Sequence, residues 1–203
     1  MSGPLTRAVR SDGERSRRAI LRTAARLATT QGLDRLSIGE LAAEAGMSKS
    51  GLYAHFGSKE ELQLATVDTA AEIFTADVLE PAARVPRGRD GLIALSDAFL
   101  AHLRNRVFPG GCFFDSAAAE LHARPGPVRD RIAAFQQGWQ DLICEHLLAA
   151  QAQGELPAAS DLDQLLFDVS AYLAMAHSLF TFTGDEGALD RAARAVRIRL
   201  GAA

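Results

Sequence analysis

The chain has 203 residues, 48% of them apolar and 6% aromatic, with 22 Lys and Arg against 25 Asp and Glu. This is enough apolar material for a sizeable core in one or two domains, while a formal charge of −3 excludes a uniformly basic coat and two cysteines, Cys112 and Cys144, exclude a disulfide framework. There is no run of about 18 uncharged apolar residues and no apolar N-terminal signal segment, so a cytoplasmic location without a membrane span is expected.

In chain order, residues 1–13 read as a flexible basic arm. Arg7 and Arg10, continued by Arg15, Arg17 and Arg18, are either a solvated tail or a reach to a phosphate or the minor groove. A first helix begins near residue 14 in ERSRRAILRTAARLATTQGLDRLS, with Ile20, Ala24, Leu27 and Ala28 on its inward face. The next stretch, SIGELAAEAGMSKSGLYAHFGSKEEL (37–62), carries the densest signal. Ser37 with Glu40 forms a capping box that opens a short helix, and Ile38, Leu41, Ala42 and Ala45 give it an apolar face. Gly46 closes that helix by taking a positive φ, and Met47 packs under the turn. Ser48 caps a second helix in which Leu52 and Phe56 face inward, leaving Lys49, Ser50, Gly51, Tyr53 and His55 facing out. Gly51 costs about 1 kcal/mol in a helix and fits where another surface comes close. Gly57 ends the helix, and Ser58 with Glu61 opens the next. Two short helices joined by a tight turn, with hydroxyl caps and basic residues, are a device for placing a helix in the DNA major groove.

Longer helices follow: a linking helix from Lys59 to about Leu79 that ends near Pro81, then Leu92 to about Val107, Cys112 to His122, and Val128 to about Gln153. The last two run from Asp161 to about Phe182 and from Ala188 to Leu200. The breaks are PAARVPRGRDG (81–91), Pro109–Gly110–Gly111 and ARPGP (123–127). No β alternation or internal repeat stands out, so the fold class is all-α, in two parts: residues 14–60 and residues 61–203. Charge divides along the same line. Residues 1–65 hold ten basic and seven acidic side chains, including both lysines of the chain, Lys49 and Lys59; residues 66–203 hold twelve and eighteen. The basic head and acidic body fit a nucleic-acid contact confined to the N-terminal part.

The segment AGMSKSGLYAHFGSKEEL, with the preceding helix and its Gln31–Gly32 ending, resembles the N-terminal domain of TetR-family transcriptional regulators over roughly residues 14–65. It departs from the family pattern in having Ala54 where a second aromatic is typical. The resemblance implies a three-helix helix-turn-helix domain followed by a helical effector-binding and dimerisation domain. It assigns Ser37 and Ser48 to phosphates at helix N-termini, Lys49, Ser50 and Gly51 to base edges, and Tyr53, His55 and Lys59 to phosphates. It also implies a homodimer on a palindromic operator of double-stranded DNA, with half-sites about one helical turn apart or a multiple of it. Past residue 65 the likeness is looser. PGGCFFDSAAAEL (109–121), followed by RPGPVRD, is similar to a subgroup of these regulators and carries no assigned chemistry.

The helix 161–182 is apolar nearly all round and must be buried on several sides. It and helix 188–200 are the dimer-interface candidates, with Ala171 and Ala174 allowing close approach; the alternative is that they only cover their own core. A small apolar or aromatic effector is expected between the helices. The candidate lining is Phe99, Leu103, Phe113, Phe114, Trp139, Ile143, Phe167, Tyr172 and Met175, with His177 or His122 as anchors; each also reads as ordinary core. The expected mechanism is a ligand-responsive repressor whose effector shifts the helix 59–79. The alternative is a redox-responsive regulator, because Cys112 follows two glycines at a helix N-terminus, a position that lowers a thiol pKa. Cys112, Cys144, His122, His146 and His177 have no metal-ligand spacing, so no metal or cofactor is expected. Phosphate-loop, dinucleotide, nucleophile-elbow and zinc-protease motifs are missing, so no enzyme is expected either.

Overall fold

The structure, a computed structural model, describes residues 4–44, 46 and 48–202, and the side chains of all of these except 4–12, 53 and 54. Every regular element among the described residues is helical: α1 (Pro4–Gln31), α2 (Ile38–Glu44), α3 (Lys49–His55), α4 (Lys59–Phe74), α5 (Glu80–Ala82), α6 (Arg89–Arg104), α7 (Phe113–Leu121), α8 (Pro127–Ala152), α9 (Leu162–Thr183) and α10 (Glu186–Arg199). Residues 4–13, read from the sequence as a flexible arm, form the first turns of α1, with Pro4 at the position where its missing N–H costs nothing.

The caps form much as the sequence implies. Ser37 Oγ accepts from the Glu40 amide at 3.1 Å and donates to the Glu40 carboxylate at 2.8 Å, so the acid reaches the hydroxyl. Gly46 takes φ +63 and turns the chain between α2 and α3. Ser48 Oγ accepts from the Gly51 amide, and Ser58 Oγ from the Glu61 amide, each at 3.1 Å. The Glu61 carboxylate in turn takes the Gly57 amide at 2.9 Å. These bonds satisfy donors that helix starts otherwise leave unpaired. Leu33, Leu36, Leu41, Leu52 and Phe56 fill the core of this head. Met47 and Ala45 lie outside the described residues.

The linking helix ends one residue past Pro81, at Ala82. Beyond Phe74 the chain widens into one π turn, Thr75–Leu79, and continues as α5 with Pro81 inside it. A proline clashes with the carbonyl four residues before it, and a widened turn relieves that clash without breaking the rod. In the second domain α8 packs against α4, α6, α7 and α9, while α10 covers α9 and α6. The head meets this body where α1 packs against α4 and α7. By length and composition alone α9 could cross a membrane, with a mean hydropathy of 1.4 over its most apolar window. The sequence reading missed this because Asp163 and Asp168 interrupt the run; Asp168 is paired with Arg199 of α10.

Candidate functional site

Two features of the structure can bind something: the outer face of the head and a cavity in the body. On the head, Ser37, Ser48, Lys49 and Ser50 are exposed at the starts of α2 and α3, and Gly51 and His55 are half-buried. The Ser50 hydroxyl lies 3.2 Å from that of Ser48. The Lys49 stem crosses α2 at Gly39, where a Cβ would come within 3.0 Å of Lys49 Cε, so the small residue beneath sets the course of the lysine. Arg17 of α1 stacks over the Phe56 ring at 5.0 Å. The side chain of Tyr53 lies outside the described residues. Lys59 is exposed at the start of α4, where its Nζ donates to the Asp34 carbonyl and lies 3.7 Å from the Asp34 carboxylate.

The cavity, of about 410 Å³, opens between α4, α6, α7, α8 and α9. Its walls include five aromatic rings, Phe74, Phe99, Phe114, Phe135 and Trp139. Phe114 and Phe135 are stacked at 3.4 Å, and Phe74 meets Phe114, Phe135 and Trp139 at close to right angles. The polar wall is Asp115 with Gln136, Gln137, Gln140 and Ser170. Ser170 donates to the Gln140 side-chain carbonyl at 3.2 Å. Mostly apolar walls with a few convergent polar groups are the usual make-up of a small-molecule site.

The sequence reading placed several residues here that the structure puts elsewhere. Of the eleven candidates, Phe99, Phe114 and Trp139 line the cavity. Leu103 and Ile143 sit one helical turn on from Phe99 and Trp139 but are packed into the core, as is Phe113 beside Phe114. Phe167 and Met175 are exposed on the far side of α9, and Tyr172 and Met175 line a shallow groove between α9 and α10 instead. His122 lies beside α8 in a separate depression. His177 stands behind the wall. Its Nε2 accepts the Cys112 amide at 3.0 Å, and its Nδ1 lies 3.3 Å from Asp115 Oδ2. Asp115 itself, missed in the sequence, is the one carboxylate in the first turn of an apolar helix. Its side chain keeps 38% of its surface, and it faces the cavity that it lines.

These contacts bear on the chemistry of Cys112. The thiol is buried, and burial together with the neighbouring Asp115 carboxylate pushes its pKa far above the ordinary range. The helix start does not compensate, so the thiolate that redox sensing needs is disfavoured here. Burial raises the Asp115 carboxyl and lowers the His177 imidazole, in keeping with a neutral His177 whose acceptor nitrogen is already used.

Cavity and head are joined by two elements. Phe74, in the cavity wall, ends the helix that Lys59 begins at the head. Helix α7 places Phe114 and Asp115 in the cavity and, at its other end, Glu120 against the head. The Glu120 carboxylate accepts the amides of Leu33 at 2.7 Å and Asp34 at 3.1 Å. Arg124 pairs with the Asp34 carboxylate, which holds its pKa below the usual value.

Residues 20–66 match the family model described as bacterial regulatory proteins, tetR family, and residues 88–196 match the tetracyclin repressor-like C-terminal domain. Among solved structures the chain is similar to a TetR transcriptional regulator from Chloroflexus aurantiacus J-10-FL, at 27% identity and a TM-score of 0.86 over 94% of this chain and 96% of that one. It is similar to AibR in complex with isovaleryl coenzyme A and operator DNA, at 25% identity and a TM-score of 0.69 over 90% and 97%. A TetR-family regulator from Streptomyces coelicolor shares the fold, at 23% identity and a TM-score of 0.78 over 99% and 96%. No curated protein sequence matches the chain. With the second model alone spanning more than half of the sequence, on the fold and the helix-turn-helix geometry just described, the chain belongs to the TetR family of transcriptional regulators.

Proposed function

We propose that this regulator is a repressor that binds a palindromic operator as a dimer and lets go when a small molecule fills the cavity. The observation that carries this reading is the double link between cavity and head, through Phe74 on α4 and through Asp115 and Glu120 on α7. A ligand that is bound more tightly in one arrangement of these helices shifts the head by that difference in affinity. The solved complex of AibR with both an acyl-CoA and operator DNA supports such a pairing of sites on this architecture.

On the head, Lys49, Ser50 and Gly51 read the base edges. Ser37, Ser48, Tyr53 and His55 position the phosphates, with Lys59 fixing the turn at Asp34 rather than meeting DNA directly. The dimer forms through α9 and α10. Phe167, Met175, Phe182 and Ile198 are all more than half exposed there, an apolar face that water does not favour. Work on DNA places the protein in the cytoplasm. The test is selection of an operator from random duplex DNA, followed by fluorescence anisotropy. A palindromic consensus bound with two chains per site supports the reading, and the absence of any selected sequence overturns it.

A further inference from the structure

The charge balance of the cavity is one-sided. Among the described residues that line it, Asp115 is the only charged one, and none is Lys, Arg or His. The nearest cation source, His177, is held neutral because its Nε2 accepts the Cys112 amide. The carboxylate therefore shares the cavity wall with aromatic rings and has no counter-charge there. A half-buried anion beside apolar rings is less well solvated than one in open water, and a cation placed against it offsets that loss. The rings reinforce the preference, since their faces carry the negative lobe of the quadrupole and attract cations. The amide and hydroxyl groups of Gln136, Gln137, Gln140 and Ser170 accept or donate without adding charge. For an anionic effector, such as a carboxylate or an acyl-CoA, the same wall offers repulsion from Asp115 and from the ring faces.

Resting on the reading of this cavity as the effector site, we infer that it takes an organic cation: an aromatic or branched apolar body with a protonated amine or quaternary ammonium group set against Asp115. A volume of about 410 Å³ suits a molecule of one or two rings. Gly111 supports the arrangement. At φ +88 it lets the α7 start close over His177, whose Nε2 would lie 2.3 Å from any Cβ placed there, and this keeps the imidazole beneath Asp115.

Trp139, the one tryptophan of the chain, lines the cavity and supplies the readout. The full-length protein is titrated with benzyltrimethylammonium, with its neutral isostere neopentylbenzene, with phenylacetate and with isovaleryl coenzyme A, following Trp139 fluorescence. The cation is expected to bind at least about ten-fold more tightly than phenylacetate, a difference of about 1.4 kcal/mol. Asp115→Asn is expected to erase that preference, with circular dichroism and thermal melting as controls for folding. Should that variant fail to fold, Gln136→Glu adds a second carboxylate to the same wall and is expected to strengthen cation binding roughly ten-fold. Equal or tighter binding of the neutral or anionic compounds overturns the cation assignment. If one of those compounds also releases operator, the cavity remains the effector site and only the ligand class fails. No quenching by any of the four overturns both.

Discussion

The carboxylate of Glu120 accepts the backbone amides of Leu33 and Asp34, so the end of a helix that lines the cavity caps the turn between α1 and α2 of the DNA-reading head. These are charge-assisted bonds in a partly buried setting, and removing the acceptor leaves two amides unpaired. Glu120→Ala is expected to lower unfolding stability by about 1–3 kcal/mol in urea melts. It is also expected to weaken effector-driven release of operator more than operator binding itself. An unchanged response to effector would mean that α4 alone carries the coupling.

Lys49 and Lys59 are the only lysines, and their surroundings differ. Lys49 is exposed at the start of α3, whereas Lys59, also exposed, is paired with Asp34. Lys49→Ala should therefore weaken binding and reduce the slope of log affinity against log salt by about 1. Lys59→Ala should leave that slope nearly unchanged and cost stability instead. Anisotropy titrations at several salt concentrations separate the two, and equal slope changes would return Lys59 to the phosphate contacts.

The head was legible in the sequence because its structure is local. Ser37, Ser48 and Ser58 each cap a helix through a bond to a residue three positions on, and Gly46 turns the chain by its own φ, so a short window of sequence contains cause and effect. The cavity is assembled from five helices, and periodicity marks which residues are apolar, not which of several buried faces each one meets. Leu103 and Phe99 lie on one stripe of α6, yet only Phe99 reaches the cavity. Phe167 and Met175 read as core until α9 is seen to have a face with nothing over it. Asp115 was hidden for the opposite reason: one carboxylate in an apolar helix start looks like a favourable charge for the helix dipole until its surroundings are known.

His102 gives the clearest pH dependence. Its ring is buried between Phe74 and Phe108, Nδ1 meets Asp77 at 2.7 Å, and Nε2 is buried with no partner among the described residues. Desolvation outweighs Asp77 and lowers its pKa below the usual 6.5. The neutral form is favoured on folding, so this stability is fully present above about pH 6.5 and is lost as pH falls through the folded-state value. His146 and His177 are lowered in the same direction, while Asp115, raised by burial, opposes them. Urea midpoints measured between pH 7.5 and about pH 5 should fall on acidification. His102→Gln, which cannot titrate, should flatten part of that fall; an unchanged profile would place the acid sensitivity elsewhere.

Phe182 is 92% exposed at the end of α9, and Ile198 is 68% exposed on α10. An apolar pair of this kind at a two-fold interface is worth several kcal/mol when covered, and a carboxylate in its place would be buried without a partner. Phe182→Glu with Ile198→Glu should give a monomer in light scattering at micromolar concentration. Operator affinity should fall steeply, because two heads no longer bind as one unit. Helical content should stay as in the parent, since neither side chain touches the chain's own core. A dimer that survives both changes would move the interface off α9 and α10.

Gly110 tests the contact between body and head from the other side. A Cβ there would fall 1.8 Å from the carbonyl oxygen of Thr29 and 2.5 Å from its carbon, and both are backbone atoms of α1 that no rotamer change can move. The Gly110 amide also donates to Thr29 Oγ at 3.1 Å, so the loop before α7 and the end of α1 must separate to admit a methyl group. Gly110→Ala should therefore cost about 1–3 kcal/mol or more in urea melts and lower operator affinity by displacing the head. Gly138→Ala is the matched control. Gly138 lies within α8 with nothing inside 4 Å of its added Cβ. The same chemical change there should stabilise the protein by about 0.4–1 kcal/mol, since alanine loses less backbone freedom in a helix than glycine. Opposite signs for the two alanines are what the close approach at Thr29 requires, and a neutral Gly110→Ala would show that α1 and the loop are not pressed together in solution.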